Sequence, residues 1–197
     1  EIPFDKLLVS VGRRAVTDGL GLETVGVELQ RGAIVVDEHL ETSVPGIYAV
    51  GDVNGVSMLA HTAAREGQVA VHHITDYPDA MSYRAIPGIV YTDPEIASVG
   101  KTEQELRTAG VDYQVHRVPM SLSGRFVIEN EQGNGFCKLL TDSEGVILGA
   151  HMLGNGSSEI LVPAIMAVEQ RMTLTELARI VFPHPTVSEI VRVAALS

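Results

Sequence analysis

TSVPGIYAVGD, residues 42–52, decides how this chain is read. It opens as a turn, continues as a short buried strand over 48–50, and closes on Gly51-Asp52. A glycine followed by a carboxylate at a strand end suits the hydroxyl group of a sugar or sugar alcohol. The glycine lets a ligand approach the backbone, and the carboxylate accepts the hydrogen bond. Two apolar runs precede it, 6–11 ending at Gly12 and AIVV at 33–36. Both read as short strands, the first a buried one closing on a glycine turn. Strands of this length, separated by Gly, Asp and Glu, suit a layered α/β segment.

Downstream, Leu59, Ala63, Gly67, Ala70 or Val71, and Ile74 recur at three- and four-residue spacing, which predicts a helix over 59–75. Its face is rich in Ala and Gly, so something approaches it closely. Two readings stand together: tight packing against a sheet, or an amino terminus whose N–H groups meet a ring carrying negative charge. Residues 76–85 are polar, contain a proline and read as a domain boundary. Beyond them come extended pieces in 86–100, a helix over 102–109 with a Thr102/Glu105 capping box, and a strand over 112–119. Strands 136–141 and 146–153 flank a turn at 142–145 and read as a hairpin. Helices are expected over 157–170, 173–181 (capped by Thr173 and Glu176) and 186–196. The second half is therefore an antiparallel sheet followed by helices, an α+β layout. The aliphatic face Ile160, Leu161, Ala164, Ile165 and Val168 reads equally as a dimer surface or as an ordinary core face.

The 197 residues suffice for one large or two small cores. A net charge of −11 argues against nucleic acid and anionic membrane surfaces as partners. No apolar run approaches the roughly 20 residues of a membrane span, and no signal peptide is visible. With 45% hydrophobic and 20% charged residues the composition fits a soluble, cytosolic protein. The start, EIPFDKLLVSVG, reads as the middle of a domain, which suggests a fragment or a processed chain. The single cysteine, Cys137, lies in the apolar run GFCKLL and reads as a buried core residue.

His184 stands between Pro183 and Pro185, which fix φ on both sides and keep the histidine out of helical geometry. Glu189 follows five residues later, within reach of a ring nitrogen. A carboxylate behind an imidazole orients the ring and raises its basicity, as a general base requires. A second reading is as simple: Thr186 and Glu189 match a capping box, and a histidine at a helix start can serve as a cap. The tight turn makes His184-Pro185 a candidate for a cis peptide bond.

Five stretches together resemble one family, the FAD-dependent disulfide oxidoreductases: VSVGRR at 9–14, TSVPGIYAVGDV at 42–53, MLAH at 58–61, IPGIVYTDPEIASVG at 86–100 and HPTVSE at 184–189. They occur in the family's order and cover nearly the whole chain. MLAH together with HPTVSEIVRVAAL is similar to the dihydrolipoamide branch, and Phe182-Pro183 departs from the small residues common before that histidine. The resemblance implies the following architecture: residues 1–12 as the end of an NAD-binding domain, 13–84 as a central α/β region rejoining the FAD domain, and 85–197 as an α+β interface domain for dimerisation.

It also implies roles. Asp52, beside Gly51, would bind the flavin ribityl chain; Met58, Leu59, Ala60 and His61 would meet the flavin at the helix amino terminus; Gly12 would lie against the nicotinamide nucleotide. His184 would take a proton from a dithiol substrate, with Glu189 orienting it, and electrons would pass through a cysteine pair and FAD to NAD. The histidine would serve the other subunit's site, so a homodimer is implied, with a lipoyl-bearing protein or small dithiol as substrate. The chain itself holds no C-x4-C pair and no Gly-x-Gly-x-x-Gly phosphate loop, so alone it is expected to be inactive and to hold FAD poorly. Two alternatives remain: another disulfide reductase of the glutathione reductase kind, and a dimerisation module without catalysis.

Overall fold

Cys137 and Leu139 point to one side of a strand and Lys138 to the other, and this alternation sets the frame of the second half. In the computed structural model, which describes residues 2–131 and 133–197, the chain divides into two units between Ser82 and Tyr83. The first contains α1 (Leu22–Val25), β1 (Leu29–Gln30), β2 (Ala33–Ile34) and α2 (Ala60–Ile74). The second contains β3 (Gly88–Val90), β4 (Ile96–Gly100), α3 (Glu103–Thr108), β5 (Gln114–Pro119), α4 (Gly124–Glu129), β6 (Phe136–Thr141) and β7 (Ile147–Leu153). It ends in α5 (Ser157–Ile160), α6 (Val162–Glu169), α7 (Leu174–Arg179) and α8 (Glu189–Ala195).

The second unit is the α+β layout that its sequence predicts. One antiparallel sheet runs in the order β3-β4-β7-β6-β5. The β6–β7 turn is tied by Asp142, whose Oδ1 accepts from the N–H groups of Glu144 and Val146, both at 2.9 Å. Gly149 must be glycine: a Cβ there would stand 2.2 Å from the Lys101 carbonyl oxygen. Ala97, Val99, Val118, Cys137, Leu139, Ala150 and Met152 form one buried sheet face. Leu161, Ala164, Val168, Leu177, Ile190 and Val191 from the helices complete that core. Both expected capping boxes form, Thr102 with Glu105 and Thr173 with Glu176. Cys137 is fully buried, and burial pushes its thiol up to about 12.

Two expectations change here, and of two open readings one holds. The predicted helix over 157–170 is two helices, α5 and α6, parted at Leu161. Pro163 lacks the N–H that a continuous helix would pair with the carbonyl of Glu159. The face Ile160, Leu161, Ala164 and Val168 is core, not a dimer surface, with Ile165 partly buried against it. Val162 and Met166 are the side chains of α6 that face outward. The last helix starts at Glu189 rather than 186, because the Glu189 carboxylate is turned back onto the preceding turn.

The first unit is small and irregular. β1 and β2 pair through Leu29–Ile34 and Gln30–Ala33, and a core forms from Val27, Ile34 and Ala49 with Leu22, Val36 and Ile47 packed against it. The expected buried strand over 6–11 does not form: Leu8 and Val11 are 90% and 92% exposed, and no described residue pairs with that backbone. A strand needs a neighbour on at least one side, and the described residues supply none. Of the run 33–36 only the first two residues are strand, with Val36 bridging to Thr42. The stretch 48–50 is extended without being a ladder strand, Tyr48 bridging to Glu41.

Helix α2 occupies 60–74 as predicted, but its buried stripe is Thr62, Glu66, Val69 and Ala70. Val71 and Ile74 face outward. Hydropathy misplaces this stripe because two of its members are polar. At the far end, Arg65 grips Asp79 with two hydrogen bonds of 2.6 and 2.7 Å, and His72 Nδ1 adds a third contact at 2.7 Å. Arg65 and then His72 hold the Asp79 carboxyl well below the usual carboxylate range. Among the described residues no helix is long and apolar enough to cross a membrane.

Candidate functional site

Two groups of residues were singled out by sequence, and they lie in different units. In the first unit, Val50 is extended (φ −124°, ψ 148°) and the chain then folds into a 3-10 turn over Gly51–Asn54. Gly51 has φ +78°, and a Cβ there would come within 3.2 Å of Ala63 Cβ on α2. Both facts demand glycine. Asp52 follows, exposed, and its carboxylate forms no hydrogen bond among the described residues. An exposed acceptor beside a glycine turn fits a hydroxyl-bearing ligand.

Six residues on, the chain enters α2. Leu59 precedes it in extended conformation and provides no side-chain cap, so the first N–H groups of the helix lack intrahelical partners. With fifteen residues behind it, this end favours negative charge. Met58 is half-buried, while Leu59, Ala60 and His61 are exposed around the helix start. Arg13 Nη1 donates to the Met58 carbonyl at 3.1 Å, which ties the residue after Gly12 to this segment. Gly12 itself is exposed, in the positive-φ region at φ +113°, with nothing built around it.

In the second unit, the His184-Pro185 bond is cis, as the sequence suggests. His184 Nδ1 lies 2.9 Å from Glu189 Oε1 and 3.1 Å from Oε2. A carboxylate only accepts, so Nδ1 carries the proton and Nε2 of the neutral ring keeps its lone pair. The ring is 81% exposed, whereas Glu189 is 29% exposed. The Thr186 N–H donates to Glu189 Oε2 at 2.9 Å. That bond, and then His184, hold the Glu189 carboxyl below its ordinary range, so it stays ionised. The capping-box reading is half right: Glu189 takes the Thr186 amide, but the Thr186 hydroxyl donates instead to Pro183 O at 2.7 Å. The helix is entered from Ser188.

Beside this turn lies a cavity of about 640 Å³ whose lining includes Arg125, Glu129, Asn155, Glu159, Pro185 and Thr186. A second, apolar cavity of about 300 Å³ is lined by Val162, Met166, Ile180, Val181, Phe182 and Pro183, among others.

Sequence reasoning missed Glu66. It is fully buried, and its Oε2 accepts from Gly51 N at 2.5 Å and from Asn54 Nδ2 at 3.0 Å. The signal was there: a glutamate four residues after Thr62 and three before Val69 sits on the buried stripe of a helix, where a charge needs partners.

Comparison with known proteins assigns the scaffold. Residues 86–195 match the family model of the pyridine nucleotide-disulphide oxidoreductase dimerisation domain. The chain belongs to this family. A second pyridine nucleotide-disulphide oxidoreductase model matches residues 1–67. A dihydrolipoyl dehydrogenase from Geobacillus stearothermophilus is 42% identical over 98% of the chain, and the mitochondrial one of Caenorhabditis elegans is also 42% identical over 98%. The chain spans about two fifths of these relatives, 42% and 39% of their lengths. Among solved structures, LpdA from Mycobacterium tuberculosis superposes with a TM-score of 0.87 at 33% identity, over 95% of this chain and 41% of that one. The HOCl-induced flavoprotein disulfide reductase RclA from Escherichia coli gives 0.84 at 28% identity, over 98% and 45%. The dihydrolipoyl dehydrogenase of Cupriavidus necator is likewise similar, 40% identical over the whole chain.

Proposed function

We propose that this chain is the C-terminal part of an FAD- and NAD-linked dihydrolipoyl dehydrogenase that works as a homodimer in the cytosol. The carrying observation is the His184–Glu189 pair: an exposed imidazole whose Nδ1 is held by an ionised carboxylate. Such a ring takes a proton at Nε2. A dithiol must lose a proton before it can attack a disulfide, so a base of this kind is what the reaction needs. Residues 1–12 end the NAD-binding domain, 13–84 rejoin the FAD domain, and 85–197 form the interface domain.

The residues present fit a flavin. Asp52 accepts from the ribityl chain, the Gly51 turn leaves room for it, and the segment Met58, Leu59, Ala60 and His61 meets the ring at the start of α2. Gly12 lies along the nicotinamide nucleotide. When bound, FAD supplies the two-electron relay between a cysteine pair and NAD. The outward side chains Val162, Met166 and Val181, around the apolar cavity, support pairing with a second copy.

The test uses the full-length enzyme. Dihydrolipoamide-dependent NAD reduction is expected, and His184→Gln is expected to lower it about 10²–10⁴-fold, the weight of general base catalysis. Undiminished turnover of that variant would remove His184 from the mechanism. The 197-residue piece alone, whose only cysteine is buried, is expected to show no such activity. A second reading, a disulfide reductase for another thiol, draws on the likeness to RclA. A preference for glutathione disulfide or another thiol over lipoamide decides for it. The third, a non-catalytic dimerisation module, requires that no longer enzyme carries this chain.

A further inference from the structure

Glu66 fastens both ends of the turn that carries Asp52. Its Oε2 accepts from the backbone of Gly51, the first residue of the turn, at 2.5 Å. The same oxygen accepts from the side chain of Asn54, the last residue, at 3.0 Å. Asn54 passes the hold onward in both directions: Nδ2 reaches Ala49 O at 3.4 Å, and Oδ1 accepts from Val56 N at 3.0 Å. Asp52, between the two fastened residues, is left facing outward.

The clamp is anchored on α2. Ala63 and Glu66 are one helical turn apart and share a face, and both meet the Gly51 turn. The same helix starts at Ala60, beside His61. A fully buried carboxylate costs far more than an apolar residue unless its hydrogen bonds are made, so Glu66 holds its partners firmly.

We infer that Glu66 is a positioning residue for flavin binding, which sets the register between the Asp52 carboxylate and the amino terminus of α2. This rests on the reading of Asp52 and His61 proposed above and adds to it the group that couples them. Glu66 touches neither ligand in this scheme; it acts through Gly51 and Asn54.

The experiment is FAD titration of the full-length enzyme after flavin removal, read with the visible circular dichroism of the bound flavin. Glu66→Ala is expected to raise the FAD dissociation constant about 10–100-fold, the weight of hydrogen bonds to a charged group, and to alter the flavin band. Glu66→Gln keeps an acceptor for Gly51 N and Asn54 Nδ2, and is expected to restore both readouts. Asn54→Ala breaks one end of the clamp with Glu66 retained and gives the readout should Glu66→Ala fail to fold; a several-fold weakening is expected. Thr62→Val, a buried neighbour on the same stripe, reports general damage to the helix.

Unchanged FAD affinity and spectrum in Glu66→Ala and Asn54→Ala would overturn the inference. So would equal losses in Glu66→Ala, Glu66→Gln and Thr62→Val, which mean a purely structural role. Asp52→Asn separates this inference from the one beneath it. If Asp52→Asn weakens FAD and the clamp variants do not, only the clamp fails. If the clamp variants weaken FAD and Asp52→Asn does not, the role given to Asp52 fails and with it the register that the clamp is said to set.

Discussion

Lys138 and His151 are directly opposed across the β6–β7 ladder, a cationic side chain beside an imidazole. Lys138 has a carboxylate, Glu103, 2.7 Å away. His151 has none in hydrogen-bond reach: both ring nitrogens are buried without a partner among the described residues. Burial first, and the Lys138 charge second, push the His151 imidazole below its usual range, against the opposing pull of Glu103 and Glu105.

The domain is therefore expected to lose stability as pH falls. A histidine depressed in the folded state binds its proton more readily when unfolded, so the loss begins near the unfolded value of about 6.5 and continues down to the folded one. Replacing His151 by Phe removes the titrating group. Thermal melts of the second unit from pH 7.5 to 5 should then show a shallower acid slope than the parent; an identical slope would exclude His151 as the source.

Asp79 acts in the same direction in the first unit, at lower pH. Its carboxyl is depressed, so its contribution is complete above about pH 4, the unfolded value, and fades as pH drops through the folded one. Asp79→Asn should free the 76–82 segment from Arg65 and His72 at neutral pH, seen as faster amide exchange there. Exchange that stays slow would show that the backbone bond from Met81 N to Glu38 O suffices.

Glu189→Gln tests the orienting carboxylate in the full-length enzyme. Removing its charge weakens the hold on His184 Nδ1 and so the orientation of the ring, so turnover should fall, by less than His184→Gln causes. Turnover equal to the parent's would mean that Glu189 only shapes the turn.

Cys137 should resist thiol reagents in the folded protein and react on unfolding, since only the thiolate attacks and burial keeps the thiol protonated. Rapid labelling of the native chain would contradict its place in the core.

Leu139→Ala, at the centre of the sheet core, is expected to cost about 2–5 kcal/mol. Thr173→Ala, which removes one capping box, is expected to cost about 0.5–2 kcal/mol. Denaturant unfolding of the second unit measures both.

The sequence was most legible where local chemistry decides the outcome. Thr102 with Glu105 and Thr173 with Glu176 mark helix starts within four residues, and Asp142–Gly145 marks a hairpin. His184 and Glu189 were close enough along the chain for their contact to be foreseen. It was less legible where partners are distant or polar groups are buried. The run at 6–11 has strand chemistry without a strand to pair with. Glu66 lies on a buried stripe because Gly51 and Asn54, more than ten residues away, satisfy it. No count of apolar residues reveals that, nor does it tell that Leu161 and Ala164 face inward while Val162 and Met166 face outward.

The strand order carries a consequence for how the second unit assembles. β3 and β4 are made first, yet β4 finds its place beside β7, a strand some fifty residues later. β5 is likewise stranded until β6 exists, and β6 with β7 closes through a five-residue connection. During synthesis the early hairpin must wait, open along one edge, while the local pair forms behind it. The middle of this sheet is the last part of it to leave the ribosome, so a nascent chain paused before β7 would expose a bare strand edge to its neighbours.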